Sequence, residues 1–212
     1  MQDLVIIGAG GHGREAFGIV GDLNHVSPRY RILGFLSDFA DDHERERVAR
    51  LDSTILGPID ALRDLDAQYV LGVGSSRVRC DIDRRVSAFA AVPASVVHPG
   101  AAVGLDVELG PGVLVAGGVR ITTNVRTGRH CHLNINASIS HDCRLGDFVT
   151  LSPGSVICGM CELGDGAYIG ANACVIQGRR IGADATVGAG AVVVRDVAEY
   201  SIVSGVPARI HG

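Results

Sequence analysis

The sequence predicts a two-part chain of 212 residues: a small α/β domain, then a parallel β-helix wound from six-residue repeats. Three observations carry this. A large aliphatic side chain recurs at every sixth residue from Val97 to Val193, with Thr127 as the one exception. A second series, small or β-branched, stands two residues before each aliphatic, from Ser95 through Ala101 and Val107 to Ala191, and is broken by Arg179. Residues 1–92 lack this beat and alternate apolar strands with helix-like stretches, the first strand running into Gly8-Ala9-Gly10-Gly11-His12-Gly13.

A period of six fits neither a 3.6-residue helix nor a lone alternating strand. It fits a short strand plus a tight turn. Glycines after the aliphatic, such as Gly104, Gly128 and Gly164, are expected to supply a permissive backbone there. Three units close a triangular coil of about eighteen residues with the aliphatics inward. A β-sandwich is excluded, because its strands recur at a looser spacing of roughly 8–12 residues.

Composition agrees. The chain is 47% hydrophobic and has 29 Gly and no Trp, which suits a coil filled by small aliphatics. A net charge of −4 gives no footprint for a nucleic-acid partner. The N-terminus enters a strand at once, and no apolar run approaches the roughly 18 residues needed to span a bilayer. The expectation is a soluble cytoplasmic protein without a membrane partner. Of six cysteines, Cys131, Cys143 and Cys161 fall in the small inward series, where a reduced thiol is an apolar filler. Cys158 and Cys161 have metal-ligand spacing, but no second pair follows, so packing is expected and no metal.

In chain order, Asp3–Ile7 is a strand, and Arg14 to Leu23 is helical after the glycine loop. Gly8-x-Gly10-x-x-Gly13 matches the dinucleotide fingerprint, in which N–H groups and a helix N-terminus cradle phosphates. Arg31 to Leu36 is a second strand ending in Ser37-Asp38, where an acidic residue meets a ribose or base in such units. Asp41 to Asp52 is a charged, solvated helix or loop, and Pro58 to Leu65 a short helix. Tyr69 to Val73 is a third strand with a small-residue turn at Gly74. Arg77 to Phe89 is a helix whose Asp81, Arg84 and Arg85 read as a solvated face. Residues 1–92 thus form a βαβ-type unit sized for a mononucleotide-like ligand, and residues 93–212 the coil domain, with Tyr200 to Gly212 closing the last coil.

Residues 120–142 are unusually polar for a coil and include Thr127, His130, His132, His141 and Asp142. His141-Asp142 suits acid–base work: a neutral imidazole takes a proton near pH 7, and a neighbouring carboxylate orients it. An exposed turn dipeptide is the alternative, and His130 and His132 are rival bases. Arg179 stands in an inward slot where an unpaired guanidinium is costly, so either the coil opens there or the arginine meets an anion.

The hexads, the closing Gly205-Val206-Pro207-Ala208-Arg209, the opening Gly8–Gly13 loop, and His141-Asp142-Cys143 followed by Gly146-Asp147-Phe148 together resemble a known family. This is the bacterial sugar acetyltransferases of the sialic acid O-acetyltransferase and UDP-4-amino-sugar N-acetyltransferase type. The resemblance covers essentially the whole chain. It implies a Rossmann-like βαβ N-terminal domain followed by a left-handed parallel β-helix of hexapeptide repeats, assembled as a homotrimer. Acetyl-CoA would be the co-substrate, lying along the coil between subunits. Gly10, Gly11, His12, Ser37, Asp38 and Gly74 would bind a nucleotide-linked amino sugar. His141 would be the general base and Asp142 its orienting carboxylate. Thr150, where several relatives carry histidine, Gly159, Ala171, Arg179 and Arg180 would contact the cofactor. The implied reaction is direct N-acetylation without an acyl-enzyme. Sugar O-acetylation, a non-catalytic trimeric sugar-binding module and a nicotinamide oxidoreductase are the competing readings.

Overall fold

A computed structural model describes residues 1–210. The chain divides into two compact units, Met1–Pro99 and the residues from Gly100 on. The division lies beyond 92 because residues 92–94 are tied to the first sheet: Tyr69 N–H donates to Val92 O, and Ala94 N–H to Tyr69 O.

The first unit is a parallel four-stranded sheet. Its strands are β1 (Gln2–Ile7), β2 (Tyr30–Leu36), β3 (Ile55–Gly57) and β4 (Gln68–Leu71), in the order β3-β2-β1-β4. Between them run α1 (Gly11–Val26), α2 (Asp42–Ala49) and a 3₁₀ turn (Ile59–Asp64), and α3 (Ser76–Ser87) follows β4. Leu4 to Ile7 are fully buried, as an inner parallel strand covered on both faces must be. With β1 between β2 and β4, the connections leave in opposite directions. The switch point therefore lies at the carboxyl ends of β1 and β4, where open α/β sheets bind ligands.

Two elements depart from expectation. The edge strand β3 is only three residues long and has no pattern to announce it. And α1 begins at Gly11, inside the glycine loop, rather than after it. Packing overrides propensity there. A β-carbon on Gly13 would sit 1.8 Å from Gly8 O, and one on Gly72 would sit 2.4 Å from Gly13 Cα. Only glycine lets the first turn of α1 lie this close to the ends of β1 and β4.

The second unit is a left-handed β-helix. Its two- and three-residue strands stack into three parallel sheets, and partners lie one coil apart: Leu133 with Leu151, Leu151 with Ile169, Ile169 with Val187. From Ile121 to Val193 the aliphatics point inward and are buried, for example Ile139 at 1% and Ile157 at 0%. Thr127 takes an inward slot too, and its hydroxyl accepts from Gly110 N–H at 3.2 Å. Its polarity is satisfied inside the coil and marks no site.

The glycines after the aliphatics have a different role from the expected one. Every sixth residue from Asp106 to Gly190 is left-handed, with φ between 50 and 75°, and these are Asp, Asn, His, Phe and Met as well as Gly. The turn therefore sits two residues beyond the expected glycines. Those glycines answer to crowding instead: a β-carbon on Gly104 would lie 1.8 Å from Thr122 O of the next coil.

Arg179 is not a buried inward arginine. It is 35% exposed, its Nη1 lies 3.8 Å from Asp196, and its Nε donates to Gln177 O. The coil changes there, since Ile181 bridges Val197 and Thr186 pairs with Ile202, two residues short of the earlier spacing. Ile202–Ser204 then turns back on Arg209–Ile210 as an antiparallel pair. The last two residues of the expected closing tail lie outside the described residues.

Candidate active site

In the β-helix, His141 and Asp142 occupy the turn between the strands Ser138–Ile139 and Arg144–Leu145. Asp142 holds a left-handed φ of 62°, a conformation that aspartate and asparagine tolerate better than other side chains. That turn is pinned to both neighbouring coils: Asp142 N–H donates to Thr123 O, and Met160 N–H to His141 O. His141 Nδ1 lies 2.6 Å from Asp142 Oδ2, while Asn124 Nδ2 donates to Asp142 Oδ1 at 2.5 Å. The hydrogen bonds from His141 and Asn124 hold the Asp142 carboxyl below its ordinary value. An ionised carboxylate only accepts, so Nδ1 carries the ring proton and Nε2 is left as the basic nitrogen.

The ring needs room, and Gly159 supplies it. A β-carbon there would stand 2.6 Å from His141 Cε1 and 2.7 Å from Nε2. The His141 side chain is 53% exposed, as a base that must meet substrate requires. The rival bases fail this test, since His130 and His132 are 0% and 1% exposed. His130 stacks on Phe148 beneath Gly112. Cys143 is fully buried and donates to Cys158 O at 3.2 Å. Contact with the Cys161 thiol and burial both push its own thiol up, so it is no nucleophile. Cys131 and Cys161 are likewise buried and donate to the carbonyls of Gly146 and Ile176.

The expected cofactor residues are spread over the coil. Thr150 is 4% exposed and sits in the ladder between His132 and Tyr168. Ala171 is a half-buried turn residue whose carbonyl accepts from Gly190 N–H. Arg180 is exposed and pairs with Glu162 at 3.0 Å. Exposed pairs of this kind contribute about 0–1 kcal/mol, so an incoming phosphate would displace them readily.

In the first unit a cavity of about 260 Å³ opens at the carboxyl end of the sheet. Ser37 and Asp38 line it. Gly10, Gly11, His12 and Gly74 are not among its lining residues, but Gly8 and Val73, at the ends of the same two turns, are. A β-carbon on Gly10 or Gly11 would make only ordinary contacts, 3.5 Å from Glu44 Oε1 and 3.9 Å from Arg14 Nη2. His12 bonds Glu15 at 3.0 Å, and burial holds its ring below the ordinary histidine value. A larger hollow of about 640 Å³ lies at the opposite end of the sheet, around Gln2, Arg31 and Gln68. That is the wrong end for ligand binding in such a fold.

Two features were missed in the sequence. Arg79 is fully buried, and its Nη1 donates to Val73 O and Gly74 O at 3.1 and 2.8 Å, which fixes the turn after β4. And α3 turns Val78, Asp81, Ile82 and Arg85 into the cavity. That i, i+3, i+4, i+7 spacing marks one helix face and was the available signal. Arg85 is half-exposed but engaged: it donates to Asp38 Oδ2 at 2.6 Å and Asp60 Oδ1 at 2.8 Å. Burial alone would raise the Asp38 carboxyl, but Arg85 and the Ile59 N–H together hold it below its ordinary value.

Comparison with known proteins matches residues 3–86 to the PglD N-terminal domain and residues 160–195 to the bacterial transferase hexapeptide family of six repeats. GDP-perosamine N-acetyltransferase of Escherichia coli O157:H7 is 30% identical over 151 residues, covering 71% of this chain and 67% of that protein. The chain belongs to the sugar acetyltransferases of the left-handed β-helix type. Among solved members of this family, a histidine-to-asparagine variant of perosamine N-acetyltransferase from Caulobacter crescentus was captured with CoA and GDP-perosamine. It is 31% identical with a TM-score of 0.89 and covers 100% of this chain and 98% of that one. The acetyltransferase domain of PglB from Neisseria gonorrhoeae, in complex with acetyl coenzyme A, is 26% identical with a TM-score of 0.86, covering 99% of each chain. This sugar acetyltransferase is therefore an enzyme that transfers acetyl groups from acetyl-CoA. Among its described residues no helix is long and apolar enough to cross a membrane.

Proposed function

We propose that this acetyltransferase acylates the amino group of a nucleotide-linked amino sugar, with His141 as general base. The observation that carries the reading is the His141 ring itself: Nδ1 engaged by Asp142 at 2.6 Å and Nε2 left basic above Gly159. The relatives caught with CoA and GDP-perosamine support the choice of acceptor.

The neutral amine attacks the thioester carbonyl, forming the C–N bond and a tetrahedral oxyanion. His141 Nε2 takes the proton that the nitrogen loses. The C–S bond then breaks, and the imidazolium returns that proton to the departing thiolate. Asp142 holds the ring's orientation and stabilises its charged form. Backbone N–H groups stabilise the oxyanion. In the N-terminal domain, the glycine loop and the cavity at Ser37 and Asp38 hold the nucleotide. Arg179 and Arg180 contact the CoA phosphates, with Gly159, Ala171 and Thr150 along the same cofactor. The chain acts as a homotrimer, as the family resemblance implies, and light scattering of the purified protein tests that state.

The deciding assay follows thiol release from acetyl-CoA with nucleotide-linked 4-amino sugars against free sialic acid as acceptors. His141→Ala is expected to lower turnover by about 10²–10⁴-fold with little change in substrate binding. Near-normal turnover in that variant would remove the base assignment, and transfer to sialic acid alone would remove the acceptor.

A further inference from the structure

The cavity in the N-terminal domain is unbalanced in charge. Its lining holds two carboxylates, Asp38 and Asp81, and one guanidinium, Arg85. The guanidinium is committed through Nη1 to Asp38 and through Nε to Asp60, which stands outside the lining. The second oxygen of Asp38 accepts the Ile59 N–H at 2.9 Å. Asp81 remains. Among the described residues it pairs with Arg84 Nη1 at 3.5 Å, between side chains that are 60% and 73% exposed, a bond at the limit of useful geometry. The cavity therefore offers acceptor oxygens at its rim, between apolar walls formed by Val73, Val78 and Ile82 and by Phe39 and Ile59.

Such a slot repels phosphate and favours a flat ring with N–H donors. The two oxygens of a carboxylate accept a side-by-side pair of donors. Guanine offers that pair on its Watson–Crick edge, at N1–H and the 2-amino group. Uracil has one N–H between two carbonyls, which would face the carboxylate. Adenine and cytosine set a ring-nitrogen acceptor beside their amino group. We propose that Asp81 reads the guanine edge of the nucleotide, so that the substrate is a GDP-linked rather than a UDP-linked amino sugar. This rests on the nucleotide-sugar reading and narrows it.

Calorimetric titration of the full chain with GDP, inosine diphosphate and UDP tests the assignment without relying on turnover. Inosine differs from guanosine only in lacking the 2-amino group. A lost base-edge contact of about 1–3 kcal/mol corresponds to roughly tenfold or more in affinity. GDP is therefore expected to bind at least about tenfold more tightly than either competitor. Asp81→Asn should weaken GDP by a similar factor and bring GDP and inosine diphosphate together, while acetyl-CoA binds as before. Equal or tighter binding of UDP by the unaltered chain overturns the proposal, as does an Asp81→Asn variant that still prefers GDP to inosine diphosphate. Thiol release separates the two readings. GDP selectivity without acetylation of any amino sugar sustains Asp81 and ends the proposed reaction. Preferred acetylation of a UDP-linked sugar sustains the reaction and ends the role of Asp81.

Discussion

Gly159 lies directly beneath the imidazole of His141, so close that any β-carbon there would stand 2.6 Å from Cε1. Gly159→Ala should therefore push the ring aside and leave the coil wound. Misplacement by about an ångström costs on the order of 10²-fold in rate. We expect that loss in thiol release, with an unchanged melting temperature.

The carboxylate partners rank by what they hold. Asp142→Asn should lower turnover by less than His141→Ala, because an amide still orients the ring but stabilises its charged form poorly. Asn124→Ala removes one of the two bonds that hold the Asp142 carboxyl down. Its effect should be smaller again, about tenfold or less, because the ring keeps its bond to Asp142. Steady-state rates across pH measure both.

Arg85 links stability to pH in the N-terminal domain. It lowers both Asp38 and Asp60, so its contribution is present above their unfolded value of about 3.9 and is lost as pH falls through the lower folded values. Arg85→Met should lower the melting temperature only modestly near neutrality, since both partners are partly solvated. The gap in melting temperature from the unaltered chain should close below about pH 4.

Two glycines of one helix make an internal control. Gly13→Ala drives a β-carbon to 1.8 Å from Gly8 O, whereas nothing lies within 4 Å of a β-carbon on Gly18. The first substitution should destabilise by about 1–3 kcal/mol through overpacking. The second should stabilise by about 0.5–1 kcal/mol through helix propensity. Urea denaturation distinguishes them by sign.

The repeat was legible because one side-chain rule, aliphatic inward at every sixth residue, holds over the whole coil. His141 was legible as a candidate for a related reason: nothing in the coil's own packing asks for a histidine there, whereas Asp142 also fills one of the coil's left-handed turn positions. Their support was within reach of coil arithmetic, since Asn124 stands one coil before Asp142 and Met160 one coil after. The N-terminal pocket was less legible. Arg79 and Arg85 are ordinary charged residues on a charged helix until tertiary contacts with Val73, Gly74, Asp38 and Asp60 give them work. Crowding between coils explains the glycines after the aliphatics. It is a property of adjacent turns in space, which no local reading of turn chemistry reveals.

The pairing of Ile202–Ser204 with Arg209–Ile210 runs opposite to every other strand of its sheet. A parallel solenoid ends in a row of unpaired amides and carbonyls, a template on which another molecule can add like a coin to a stack. Here the chain doubles back and occupies that row along one of the three sheets. Cutting the protein after Ser204 should bare the template and let purified molecules grow into end-to-end filaments.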